Sequence, residues 1–131
     1  MARCATTVGS VLVGVFASCE IGGPSAVCTT EFRAVLLAVR DRMGAPVPGL
    51  AISDTILRTG QAFDVAQIPG LPSGSYDVFD DNLKDRIRRT GDSVRVAGTG
   101  AGAGFRADFV FDVPGGCHVR RRSGPATVIL P

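Results

Sequence analysis

The chain predicts an all-β domain, a single β-sandwich of about seven short strands over residues 28–131. Three observations carry this. Apolar and polar residues alternate at period two, most cleanly in Phe105-Arg106-Ala107-Asp108-Phe109-Val110-Phe111-Asp112-Val113. Residues two apart share a face of a strand, so Phe105, Ala107, Phe109, Phe111 and Val113 form an apolar face, with Arg106, Asp108 and Asp112 opposite. Turn residues interrupt the pattern at regular spacing, at 41–49, 59–60, 69–74 and 114–116. Only the segment 80–89 breaks toward helical spacing.

Each element follows from local chemistry. Residues 32–40 form the first strand, with Val35, Leu37 and Val39 on one face. Both faces are largely apolar, which predicts a central or covered strand. In 41–49, Gly44 permits positive φ and Pro46 and Pro48 stop the ladder. Residues 50–58 give a second strand and 61–67 a third, with Phe63 and Val65 on one face. Residues 75–79 alternate, with Tyr76 and Val78 inward. In 80–89, Leu83 and Ile87 are four apart and acids precede bases. That predicts a short helix or helical turn with Asp80 or Asp81 as N-cap and arginines at its negative end. Residues 93–98 are a strand, 99–104 a Gly/Ala loop and 105–113 the next strand; 117–119 pairs, and 127–130 closes the fold.

Composition narrows function. The net charge of +2 is too small for a nucleic-acid binder. Lys84 is the only lysine among 14 basic residues, and with so much Ala, Gly, Val and Pro this looks like codon bias. Trp is absent and Tyr76 is the sole tyrosine, so a stacking platform for bases or sugars is poorly supplied. Zinc is disfavoured by a single His and distant cysteines without a C-x-x-C. No cofactor motif is present: there is no Walker loop, and Gly98-Thr99-Gly100-Ala101-Gly102 joins strands rather than opening a helix.

The N-terminal segment points outside the cytoplasm. Arg3 precedes the uncharged run VGSVLVGVFA from Val8 to Ala17. Ten residues suit a signal h-region and fall short of the roughly 20 that span a bilayer. Phe16-Ala17-Ser18-Cys19 then resembles the lipobox of bacterial lipoproteins, with Phe16 where that motif prefers Leu. The resemblance implies a signal peptide over 1–18, lipid on the Cys19 thiol, and membrane anchoring by the acylated N-terminus. Residues 19–27, with Gly-Gly-Pro-Ser, read as a flexible tether. The alternatives are a secretory signal cut after Ala17, giving an unanchored domain, and a buried strand.

Removal of the signal takes Cys4, and Cys19 carries lipid. Cys28 and Cys117 remain, and in an oxidising compartment they form a disulfide joining the two ends of the domain. A Cys117–His118 nucleophile and base pair is disfavoured, since strand neighbours point to opposite faces.

The segment from Ala38 through Arg40-Asp41 to Gly44-Ala45-Pro46-Val47-Pro48-Gly49 resembles the opening of the carboxypeptidase regulatory-like domain. Gly74-Ser75-Tyr76-Asp77-Val78 resembles its Gly-x-Tyr-x-Val strand, and Cys117-His118-Val119 is similar to a motif near the end of small lipoproteins that carry it. The resemblance implies an immunoglobulin- or transthyretin-like sandwich that acts as an accessory or adhesion module. The stretch 80–104 departs from the family pattern, which has a compact hairpin there.

Candidate sites are few. Asp77, Asp80, Asp81, Asn82 and Asp85 offer oxygen ligands for calcium but lack the EF-hand spacing, and caps and surface charge are the favoured roles. Arg86, Arg88 and Arg89, with Arg120, Arg121 and Arg122, form two basic groups. They can meet anionic lipid or glycan, or protect sheet edges, and edge protection is favoured. His118 is the lone histidine. The expected function is a lipid-anchored, non-catalytic binding or structural protein of the cell envelope, with an envelope protein or glycan as partner. A small envelope hydrolase using acids and His118 is the alternative.

Overall fold

The computed structural model describes residues 27–131 apart from Ala101. The signal segment 1–18, Cys19 and the tether up to residue 26 lie outside the described residues. Eight strands are described: β1 Ala34–Arg40, β2 Ala51–Ile56, β3 Gln61–Val65, β4 Ser75–Asp80, β5 Asp92–Gly100, β6 Ala103–Asp112, β7 Arg120–Ser123 and β8 Thr127–Ile129. They form two sheets, of order β4-β1-β8 and β3-β2-β5-β6-β7, and the domain is an all-β sandwich. All pairings are antiparallel except β1 with β8.

Alternation builds the core between the sheets. Leu37 and Val39 of β1 and Tyr76, Val78 and Phe79 of β4 meet Ile52 and Ile56 of β2, Val94 and Val96 of β5, and Phe109 and Phe111 of β6. Phe111 stacks between Phe79 at 4.7 Å and Phe109 at 5.4 Å. Between Val35 and Leu36 the register shifts and Val78 of β4 has no partner in the ladder, and both Val78 and Phe79 are fully buried. On the free edge of β4, the Gln67 side chain replaces a strand. Its Oε1 accepts the Asp77 N–H at 2.9 Å and its Nε2 donates to the Asp77 carbonyl at 2.9 Å.

β1 is central in its sheet, as its two apolar faces predict, with its outer face uncovered and Leu36 43% exposed. Three expectations are corrected. The segment 80–89 contracts to a 3₁₀ turn, Lys84–Arg86, whose N-cap is Leu83 without a side-chain bond. Asp80 Oδ1 instead accepts the Asn82 N–H at 2.8 Å, a local turn that competes with capping. The Gly/Ala segment is mostly ladder, since β5 runs to Gly100 and β6 begins at Ala103. Residues 117–119 do not pair; the following arginines do, as β7, because an exposed edge strand needs no apolar pattern.

Candidate functional site

Cys28 and Cys117 are bonded, with Cα atoms 5.1 Å apart and a sequence separation of 89. The bridge lashes the strap leading into β1 onto the turn before β7. Thr29 follows one cysteine and His118 follows the other, so the covalent link brings their side chains together. Thr29 Oγ1 lies 2.8 Å from His118 Nε2. His118 Nδ1 lies 2.7 Å from Asp81 Oδ2.

Asp81 is held rigidly. Its Oδ1 accepts the Val119 N–H at 2.8 Å and its Oδ2 accepts the Arg33 N–H at 2.9 Å. Burial raises its pKa, but the His118 bond and these two backbone donors outweigh burial and hold it below the usual carboxylate range. The His118 and Asp81 side chains are 15% and 12% exposed, while Thr29 is exposed. A hydroxyl, an imidazole and a carboxylate thus stand in series, the carboxylate fixing the ring and the ring facing the hydroxyl. Because 117–119 is a turn, the strand-geometry objection to His118 chemistry does not apply, and Cys117 is removed as a nucleophile by its bridge.

A second acidic group lies in the core. Asp54 and Asp77 are fully buried, and Asp80 nearly so. Both Asp54 carboxyl oxygens and Asp77 Oδ2 lack a hydrogen-bond partner, while Asp77 Oδ1 accepts the Phe79 N–H at 3.1 Å. Burial, then the Asp77 charge, pushes the Asp54 carboxyl up to about 8. Burial and the Asp80 carboxyl raise Asp77 as well. Asp54 was missed in the sequence, although Ile52-Ser53-Asp54-Thr55-Ile56 places it in phase with two core isoleucines.

The proposed calcium group is divided. Asp77 and Asp80 are buried, Asp81 turns to His118, and Asn82 and Asp85 are exposed. Among the described residues no set of three ligating side chains is placed to hold a metal ion.

The arginines are largely committed to the fold. Arg88 and Arg58 clamp Asp92, whose side chain is 1% exposed, at 2.8 Å each. Arg120 reaches Asp112 at 2.7 Å, with Arg122 at 3.7 Å. Arg86 lies 4.5 Å over the Phe63 ring, Arg89 packs on Gly116, and Arg121 donates to the Pro125 carbonyl. Asp112 therefore sits buried on the polar face of β6 because β7 covers it with guanidinium groups.

Among the described residues, two surface depressions stand out. One, of about 220 Å³, is lined by Pro48, Leu71, Pro72 and Tyr76. The other, of about 500 Å³, lies over Ser53, Ala97, Thr99 and Arg106 on the outer face of the larger sheet. Neither includes His118. Comparison of the chain with protein-family models, with curated proteins and with solved structures finds no match.

Proposed function

We propose that the chain is a lipid-anchored, extracytoplasmic β-sandwich that serves the cell envelope as a binding or structural module. The observation that carries this is the Cys28–Cys117 bridge, since such bonds persist in oxidising compartments. The apolar run before Cys19 is consistent with export to such a compartment. Strand order is consistent with a transthyretin-like rather than an immunoglobulin constant-type sandwich. β1 and β2 lie in different sheets, whereas the immunoglobulin constant type keeps its first two strands in one. The partner in this reading is an envelope protein or glycan. Detergent-phase partitioning of the wild type and Cys19→Ala from the native host tests it. Wild type in the detergent phase and the variant in the aqueous phase supports the anchor; both in the aqueous phase contradicts it.

A second reading, a small envelope hydrolase, is favoured by one observation. His118 stands beside an acid, largely buried and off any strand edge.

A further inference from the structure

The geometry points to an acyl-transfer site at the strap: we propose that Thr29, His118 and Asp81 form a nucleophile, base and orienting carboxylate acting on small activated esters or thioesters. The proposal rests on the hydrolase reading of His118 and is independent of the anchor.

Four structural features argue for it. A nucleophile within hydrogen-bond reach of a base, which a third group orients, is the recognisable signature of covalent catalysis, and it is defined by geometry rather than by sequence order. Here the two contacts are 2.8 and 2.7 Å and use opposite nitrogens of one ring. Asp81 is fixed by two backbone N–H groups, so the ring it holds is fixed too. The nucleophile is the exposed member, and the base and acid are mostly shielded from water. The disulfide one residue before both Thr29 and His118 keeps hydroxyl and imidazole together on a strap without secondary structure.

The step balances. Thr29 Oγ bonds to the acyl carbon as its proton passes to His118 Nε2. The bond from acyl carbon to the leaving oxygen or sulfur breaks, and the leaving group takes that proton. Asp81 stays ionised and stabilises the imidazolium through Nδ1–H. Water then attacks the Thr29 ester with His118 again as base, which restores the hydroxyl and releases the acid. Thr29 is exposed at the surface, so the acyl group is presented there.

The test uses the oxidised full chain with p-nitrophenyl acetate, following nitrophenol release and locating any acetyl group by fragment mass spectrometry. The expected result is acetyl on Thr29. His118→Gln slows acetylation by roughly 10²-fold or more, the usual worth of a positioned general base. Thr29→Val abolishes the adduct, and Thr29→Ser retains it. Because Thr29 is exposed, its variants keep the fold, and an intact disulfide with unchanged near-ultraviolet dichroism verifies that. A purely structural role for the His118–Asp81 bond predicts no adduct and nitrophenol release no faster than the protein-free blank at each pH. Turnover that persists in Thr29→Val overturns the relay and leaves the hydrolase reading standing. Neither adduct nor turnover overturns both.

Discussion

The bond between His118 Nδ1 and Asp81 Oδ2, 2.7 Å long, joins the turn before β7 to the residue after β4 across 37 positions of sequence. The same carboxylate also takes the N–H of Arg33 before β1 and of Val119 before β7. One side chain thereby ties three segments at the end of the sandwich where the disulfide lies. Asp81→Ala leaves those donors without their ionic acceptor, and its expected cost is about 2–3 kcal/mol. Urea unfolding of the oxidised protein measures it.

The bridge itself closes a loop with a sequence separation of 89. In the chain-entropy account such a loop contributes about 4–5 kcal/mol by restricting the unfolded chain. Cys28→Ser, Cys117→Ser and the double variant should lose similar amounts. Denaturant midpoints of the three against the oxidised parent check this.

Asp54 sets the pH dependence. Its carboxyl keeps a proton to about 8 in the fold but releases it near 3.8 when unfolded. The folded chain then binds more protons between those values, so stability falls as pH rises through them. Asp92 acts in the opposite sense. The Arg58 hydrogen bonds first, then Arg88, outweigh burial and depress its pKa, so its contribution is present above 3.8 and lost in stronger acid. The optimum should lie in mild acid, at about pH 4. Thermal midpoints across roughly pH 3 to 9 measure this, and Asp54→Asn should flatten only about half of the decline above the optimum, because the buried Asp77 carboxyl, raised to about 7, contributes in the same sense.

Gly74 is required by space as well as conformation. Its φ is +74°, and a Cβ there would stand 2.6 Å from Pro46 Cβ and 2.9 Å from the Val39 carbonyl oxygen. Gly74→Ala is expected to cost about 2–4 kcal/mol from strain and overpacking together. Gly70→Ala, at φ +83° but with nothing within 4 Å, should cost about 1–2 kcal/mol. The difference between the two in calorimetry isolates the clash.

Removing the Gln67 amide should loosen the β4 edge without unfolding it. Gln67→Ala deletes two hydrogen bonds to the Asp77 peptide, an expected loss of about 1–2 kcal/mol. Faster hydrogen exchange at the Asp77 N–H reports it locally.

The sandwich was legible where one face is dry. Phe109, Phe111 and Val113 are buried as their alternation with Asp108 and Asp112 implies, and Leu37 and Val39 behave likewise. The Cys28–Cys117 pair followed from counting the thiols outside the expected signal segment. β7 was not legible, because Arg120, Arg121, Arg122 and Ser123 are all exposed and present no pattern. The contacts of His118 with Asp81 and Thr29 were hidden for a different reason. Residues 37 and 89 positions apart meet only after the sheets close, and no local spacing marks such a meeting. Asp54 was readable in principle, in phase with Ile52 and Ile56, but an acid on a core face runs against the usual cost of burying charge.

The most direct test of the envelope account is the intact mass of the mature protein from the membrane fraction of its native host, alkylated before and after reduction. The account predicts a chain that begins at Cys19 with added acyl mass and shows two further reactive thiols, Cys28 and Cys117, only after reduction. A full-length chain in which both cysteines alkylate without reduction would contradict it.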